Sequence, residues 1–266
     1  MLSQEALDRL AQASRAFDAT RYMTFRIGGH AVGWVRRDWL PHLDPWKPHF
    51  LKNRDALALA PALRTAEART AALAEVVEGL ARAGAISGWR NERYAVVEAW
   101  GRPVLAHIER AAARFFGLTT FAAHANGIVR DGGGARMWIA RRSSTKPIDP
   151  GLLDNLVGGG MSAEADPLET LVREAGEEAG IPPALARIAI ARGRLAILRE
   201  VPEGVQQETL FAFDLELPAH FVPRNEDGEV AEVRLMTLDE VGAVIEARKM
   251  TLDASLVAAG FLMDRR

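Results

Sequence analysis

The stretch GGGMSAEADPLETLVREAGEEAGI, residues 158–181, joins a run of glycines to a helix whose two ends follow from capping rules. Asp166 suits the N-cap, Pro167 suits the first helical position, and Glu169 at the third position completes a pattern that resembles a capping box. Gly180 suits the C-terminal cap. Apolar residues between these ends recur at three- and four-residue steps and predict one narrow face packed on a core: Leu168, Leu171, Val172, Ala175 and Ala179.

Glutamates occupy the other side of this helix. At about 100° per residue, Glu174, Glu177 and Glu178 project within an arc of about 100°, so the carboxylates are expected to converge. Like charges at this spacing cost roughly 0.2–0.5 kcal/mol per pair, and carboxylates near a helix C-terminus oppose its dipole. A divalent cation would reverse both penalties, because Mg²⁺ takes oxygen ligands. The alternative is a solvated acidic face, with Arg173 in a surface ion pair to Glu177 or Glu169.

The offsets in this stretch, taken together, resemble the box of the Nudix hydrolases. That box reads Gly, five residues, Glu, seven residues, then Arg-Glu-hydrophobe-any-Glu-Glu-any-Gly-hydrophobe. The positions in register are Gly159, Arg173, Glu174, Ala175, Glu177, Glu178, Gly180 and Ile181. Ala165, flanked by Glu164 and Asp166, replaces the first Glu of the box. In the family that Glu mainly supports the loop–helix structure, so its loss leaves the implied metal site in place.

The resemblance implies an α/β fold, the Nudix α/β/α sandwich with a mixed sheet, and hydrolysis of a diphosphate bond with Mg²⁺ or Mn²⁺ as cofactor. The metal ligands that it implies are Glu174, Glu177, Glu178 and the carbonyl of Gly159. Arg173 would orient the glutamates. Glycines let a backbone approach phosphate closely, so Gly158 and Gly159 are expected to contact the substrate. Bound metal would neutralise diphosphate oxygens and lower the pKa of a water that attacks phosphorus.

Charged residues on either side of the box supply further candidates for the site. Arg141, Arg142 and Lys146 lie in a basic segment just before it, and arginine forks bind phosphate oxygens well; the alternative is an ordinary solvated edge. Beyond the box, Glu229 and Glu232 stand three positions apart. Nudix enzymes commonly take a further glutamate from this region as a metal ligand or general base. Both fit that role, against the alternative of a charged turn and strand edge, and Glu232 is grouped with the catalytic residues.

A second resemblance extends over more of the chain. It rests on the runs GWRNE at 88–92, IERAA at 108–112, HANG at 124–127, LDNLVGGG at 153–160 and DGEV at 227–230. These runs are similar to a Nudix subgroup related to the Nudix part of fungal thiamine pyrophosphokinase fusion proteins. That subgroup carries an additional N-terminal domain and also tends to lack the first box Glu. The implied substrates are thiamine-diphosphate-like or nucleoside-diphosphate-linked compounds, and no kinase half is recognisable.

The chain is expected to divide into a smaller α/β accessory domain, residues 1–118, and a Nudix hydrolase domain, residues 119–266. Periodicity and turn signals in the first part predict helices at 3–17, 64–83 and 105–116, strands at 22–34 around Gly28-Gly29 and at 89–97, and a proline-rich loop at 41–50. In the second part they predict strands at 120–130, 136–142 and 210–217, with a hairpin turn at Asp131-Gly132-Gly133-Gly134.

Several side chains outside these motifs have two interpretations. Trp34, Trp89 and Trp100 could stack on a substrate ring, but burial in the core is the favoured interpretation. His124 and Asn126 are equally compatible with structural roles on a hairpin strand and with substrate contacts.

The composition limits the remaining classes of function. A net charge of −2 provides no global field for nucleic acid or an anionic membrane, so a small-molecule diphosphate is the expected partner. The acidic N-terminal residues and the absence of a long apolar run favour a cytoplasmic location, and homodimers are common in the family. The absence of Cys excludes the isopentenyl diphosphate isomerases, which share the fold but use a catalytic Cys. The other alternative is a degenerate Nudix domain that binds a diphosphate without cleaving it; the retained glutamates argue against it.

Overall fold

The first sheet of the protein forms around the predicted turn at Gly28-Gly29. The computed structural model describes residues 2–146, 148–225 and 228–264, and in it both glycines have positive φ angles, 56° and 89°. The strands that build this sheet are β1 (Tyr22–Ile27), β2 (His30–Arg36), β3 (Phe50–Lys52) and β4 (Ala56–Leu59). Their order is β2-β1-β4-β3, with β1 and β4 parallel.

The helices of this region are shorter than predicted or replace a predicted loop. α1 (Gln4–Ala13) stops short of residue 17, and α2 (Ala66–Arg82) ends before Gly84, which has a φ of 74°. The predicted loop at 41–50 overlaps a 3₁₀ run, Arg37–His49, that contains three prolines. Proline fixes φ near −65°, a value that a 3₁₀ helix shares, so the prolines are compatible with this tight helix.

The predicted helix at 105–116 is wrong, because the segment contains a strand, a 3₁₀ turn and turn residues. The chain there forms β6 (Ala106–Glu109), which pairs antiparallel with β5 (Arg93–Val96) and places Ile108 opposite Tyr94. Burial in β6 alternates, since Ala106 and Ile108 are buried while their neighbours are partly exposed. A period of two fits a strand, and the 3₁₀ turn Arg110–Ala112 follows it. Cross-strand pairing with β5 decides the structure of a segment whose short apolar run suits either element.

The second sheet contains strands of both orientations. Its strands are β7 (Thr119–Asp131), β8 (Gly134–Arg142), β9 (Leu153–Asn155), β10 (Val157–Met161), β11 (Ile190–Val201), β12 (Gly204–Glu216) and β13 (Val230–Thr237). The main order is β11-β12-β7-β8-β13, with β10 also paired to β7 and β9 to β8. β12 runs parallel to β7, whereas β7 and β8 form the predicted hairpin with Asp131 opposite Gly134.

Helices cover both faces of this mixed sheet. The helices are α3 (Pro167–Ala179), α4 (Pro183–Ala186), α5 (Leu238–Glu246) and α6 (Leu252–Met263). Leu171 of α3 belongs to the same hydrophobic cluster as Phe121 of β7, whereas Ala258 of α6 belongs to another with Ile128. The predicted α/β/α sandwich with a mixed sheet is therefore confirmed. No helix within the described ranges has both the length and the apolar character needed to cross a membrane.

The ends of α3 match the capping rules except at one side chain. The Asp166 carboxylate accepts hydrogen bonds from the backbone N–H groups of Leu168 (2.9 Å) and Glu169 (3.0 Å), and Gly180 adopts a left-handed φ of 60°. The expected return contact of a capping box is replaced, because the Glu169 side chain binds the Arg187 guanidinium. A charged partner competes with a backbone N–H for an exposed carboxylate.

Candidate metal and diphosphate site

The glycine run forms a strand that has no room for side chains on either face. β10 pairs with β7, placing Gly158 opposite His124 and Gly159 opposite Ala123. A Cβ atom at Gly159 would lie 2.1 Å from the carboxyl carbon of Glu174, and one at Gly158 would lie 2.7 Å from the His124 ring. The α3 carboxylates therefore approach this backbone as closely as glycine permits.

Glu178 is a buried carboxylate that faces the same strand. Its side chain accepts a hydrogen bond from the backbone N–H of Gly158 at 2.8 Å, and the residue is 8% exposed. Burial raises the pKa of Glu178 well above its usual value; the Gly158 bond lowers it and the charge of Glu174 raises it further. A buried carboxylate with one hydrogen bond favours a neighbouring positive charge.

Glu174 is largely shielded from solvent beside Gly159, and Arg173 holds it there. Burial raises the pKa of Glu174, the charge of Arg173 lowers it, and Glu177 raises it. The Arg173 guanidinium donates to Glu174 and, at 2.7 Å, to the exposed carboxylate of Glu177. Arg173 thus binds both glutamates, and its role in orienting them stays a prediction.

The expected convergence of three carboxylates is not found. Glu178 is turned towards Gly158, Glu174 towards Gly159, and Glu177 towards solvent and Arg173. Within residues 2–146, 148–225 and 228–264, no group of three His, Asp or Glu side chains is arranged to hold one ion. A helical wheel places Glu178 on an open face, whereas the structure buries it against the backbone of Gly158.

A small recess beside Glu178 brings together residues from separate parts of the sequence. Its lining residues are Ala140, Arg142, Lys146, Asp154, Asn155, Gly158, Glu178, Glu229 and Val230. Lys146 forms an ion pair with Glu229, and Arg142 donates to Asp154 at 2.8 Å and to the Ile148 carbonyl. Of the candidate basic residues, Arg142 and Lys146 lie here, and of the two candidate carboxylates beyond the box, Glu229 does. Asp227 lies outside the described residues.

Arg141 and Glu232 lie elsewhere, on the other face of the sheet. They are cross-strand partners on β8 and β13, joined by a hydrogen bond of 2.6 Å. Side chains alternate along β8, so Arg142 points to the α3 face and Arg141 to the face covered by α5 and α6. Hydrogen bonds from Arg141 and Arg234 hold the pKa of Glu232 below its usual value. Strand alternation, applied to residues 136–142, is the signal that separates the two arginines.

Two family models match the chain in succession. A NUDIX domain matches residues 120–255, and a domain of unknown function, DUF4743, matches residues 5–120. Nudix hydrolase 24, chloroplastic, of Arabidopsis thaliana is 36% identical to this chain over 260 residues, covering 96% of this chain and 71% of the relative. The chain belongs to the Nudix family. It is a hydrolase that acts on diphosphate bonds.

A second plant relative agrees with this assignment. Nudix hydrolase 20, chloroplastic, also of Arabidopsis thaliana, is 36% identical over 229 residues; these make up 83% of this chain and 61% of the relative, so the match spans less than two thirds of that protein. Among solved structures, DR0079 from Deinococcus radiodurans has a TM-score of 0.48 and 23% identity, covering 64% of this chain and 98% of that one.

A buried polar network supports the Nudix strand β10 from the α6 side. His124 contacts the Asn155 side-chain oxygen at 3.1 Å, and Asn155 donates to Asn126 at 3.0 Å. Asn126 in turn donates to Asp214 at 2.9 Å, and Asp214 accepts from Arg192 at 2.6 Å. Asn126 is therefore satisfied structurally. Asp154 and Asn155 were assigned no role from the sequence, although both lie in the run LDNLVGGG at 153–160.

The tryptophans differ in their surroundings. Trp100 packs edge-on against Phe121 and Phe211, with ring centroids 5.0 Å and 4.8 Å away, and Trp34 packs against Phe17 at 5.1 Å. Core packing is confirmed for Trp100, which packs on the cluster that contains Phe121 and Phe211, whereas Trp34 is partly buried. Trp89 is 43% exposed, so the expectation of burial is wrong there.

Proposed function

We propose that this protein is a Mg²⁺- or Mn²⁺-dependent diphosphohydrolase in which metal-activated water cleaves the diphosphate bond. The observation that carries the proposal is the burial of Glu178 against the glycine strand, in a recess shared with Arg142, Lys146 and Glu229. Carboxylates and cations at one recess suit a metal and a phosphate together.

The residues present suit a divalent hard cation. Glu174 and Glu178 offer carboxylate oxygens, and each has its pKa raised by burial, a cost that a neighbouring cation offsets. The Gly159 carbonyl and Glu177 would complete a set made of oxygen ligands, with Glu229 as the extra carboxylate. When bound, the cation neutralises diphosphate oxygens and acidifies a water molecule.

The protein's own residues bind and orient the substrate. Arg142 uses three of its N–H donors on Asp154 and Ile148, and the two that remain suit a phosphate oxygen. Lys146 supplies a second positive charge at the same recess. Glycine at 158 and 159 lets Glu178 and Glu174 lie against the strand backbone, and Arg173 binds Glu174 and Glu177.

The proposed substrate is a small diphosphate, of the thiamine-diphosphate type or linked to a nucleoside. The motif runs shared with the subgroup related to thiamine pyrophosphokinase fusions support the first class, and the DUF4743 match supports an accessory domain that ends near residue 118. Homodimers and a cytoplasmic location stay proposals; the names of both plant relatives carry the word chloroplastic and give the location no support.

The proposal is tested by incubating the protein with a panel of diphosphates, including thiamine diphosphate and ADP-ribose, with Mg²⁺, Mn²⁺ or a chelator. We expect monophosphate release that the chelator and Glu178→Gln both abolish, whereas Glu216→Gln, at an exposed ion pair with Arg130, retains it. Binding of Mn²⁺ followed by electron paramagnetic resonance gives a readout that is independent of turnover. Tight diphosphate binding without a product would instead identify a degenerate binding domain.

A further inference from the structure

The β5–β6 hairpin of the N-terminal region reaches the glycine strand. A Cβ atom at Gly160 would lie 2.6 Å from the Tyr94 hydroxyl and 3.2 Å from Nη2 of Arg110. In addition, His107 of β6 contacts the carboxylate of Glu164, in the loop before α3, at 3.2 Å. The hairpin therefore borders the Nudix box at two points.

Arg110 is held in place but keeps donors for another group. Its Nη1 donates to Glu92 at 2.7 Å, and its guanidinium carbon lies 5.4 Å from the centre of the Tyr94 ring. The Arg110 side chain is 42% exposed, and within the described ranges its one side-chain hydrogen bond is to Glu92. An arginine has five N–H donors in a fixed fork that matches phosphate oxygens.

Glycine at position 160 lets the hairpin pack directly on the strand. Any larger residue there would collide with the Tyr94 hydroxyl, so the Arg110 guanidinium lies against the strand backbone and its exposed part faces solvent. The Tyr94 hydroxyl lies beside Gly160. Burial raises its pKa, Arg110 lowers it, and the charges of Glu92, Glu208 and Glu174 raise it. Tyr94 therefore stays protonated and can donate a hydrogen bond.

We propose that Arg110 binds the diphosphate group of the substrate from the N-terminal side, so that the accessory domain completes the substrate site at Gly160. This inference rests on the proposed function, because it assigns to Arg110 the same diphosphate that the metal and the box residues hold. Its chemical basis is a fixed, permanently charged fork at Gly160, on the face of β10 opposite Glu174, with Tyr94 beneath it as a support and a further donor.

The test uses methylenediphosphonate, a diphosphate analogue that cannot be hydrolysed, with the full-length protein and saturating Mg²⁺. Calorimetry should show that Arg110→Ala weakens binding at least tenfold and that Arg110→Lys, which keeps the charge but loses the fork, weakens it less. The matched control is Arg114→Ala, which removes an ion pair with Glu203 and should bind like the wild type. Mn²⁺ binding should be unchanged in every variant, which separates loss of a phosphate contact from loss of the site.

Arg110→Gln keeps the side-chain stem over Tyr94 and replaces the alanine variant if that variant unfolds. Affinity equal to the wild type in the Ala or Gln variant overturns the inference, and so does a wild-type protein that binds Mn²⁺ but not the analogue. Binding that depends on Arg110, without turnover of any diphosphate in the panel, supports this inference while refuting the proposed hydrolysis. If the wild type turns over a diphosphate but the analogue binds equally well to the wild type and to Arg110→Ala, this inference alone is refuted.

Discussion

Replacing Gly159 with alanine tests the contact between the glycine strand and Glu174. The new Cβ would lie 2.1 Å from the carboxyl carbon of Glu174, whereas ordinary van der Waals contacts begin at 3.4 Å. The carboxylate must therefore move by more than about 1 Å, and a misplacement of that size can lower a rate by about 10²-fold. We expect kcat for the preferred diphosphate to fall about a hundredfold with little change in thermal stability.

The assay is steady-state release of monophosphate at saturating Mg²⁺, with circular dichroism to verify folding. Gly176→Ala is the matched control. Its Cβ, on the α3 helix that carries Glu174, would meet nothing closer than the Ile181 carbonyl at 4.0 Å. It should keep full activity and gain about 0.5–1 kcal/mol of stability, since alanine suits a helix interior better than glycine. A folded Gly159→Ala protein with turnover within about threefold of the wild type would refute this reasoning.

Three further predictions concern single carboxylates. Glu229→Gln should lower metal-dependent turnover at least tenfold and Glu232→Gln should leave it near wild type; equal effects in a kinetic comparison would contradict the assignment of Glu229 to the recess. Asp166→Ala should lower the free energy of unfolding by about 0.5–2 kcal/mol through loss of the N-cap, whereas Asp166→Asn should keep the wild-type value. Urea denaturation that finds the two variants equally stable would show that the cap contributes nothing. Burial, followed by the charge of Glu208, raises the pKa of Asp253 to about 6. The folded state therefore binds this proton more tightly than the unfolded state does. The free energy of unfolding should fall as the pH rises from about 4 to about 6. Asp253→Asn should flatten that dependence and be more stable at pH 7 by about 1–3 kcal/mol, as measured by denaturation at both pH values, and parallel pH profiles would count against it.

Local rules were enough to predict the elements whose signals lie within a few residues. The caps of α3 depend on Asp166 and Gly180 alone, and the β7–β8 hairpin depends on the turn that begins at Asp131, so both were predicted with their ends nearly correct. The prediction for the segment at 105–116 failed because its structure depends on pairing with β5, whose residues lie 10 to 16 positions away.

The candidate site was predicted in part for the same reason. The box supplies Glu174 and Glu178 from one helix, but the burial of Glu178 depends on Gly158 of a separate strand. The choice between Arg141 and Arg142 depends on which face of β8 each side chain occupies, and that requires the position of α3. Contacts of the accessory hairpin at Gly160 involve residues too distant in sequence for periodicity to reveal.

The central claim is that a divalent cation, held by Glu178 and its neighbours, drives attack of water on a diphosphate. It is tested most directly by running the hydrolysis in ¹⁸O-enriched water and observing the products by ³¹P nuclear magnetic resonance. We predict one ¹⁸O-labelled monophosphate product with Mg²⁺ or Mn²⁺, and none with a chelator or with Glu178→Gln. Labelled product that forms at the same rate in the chelator or in Glu178→Gln would contradict the claim, as would a folded, Mn²⁺-binding wild type that labels no diphosphate in the panel.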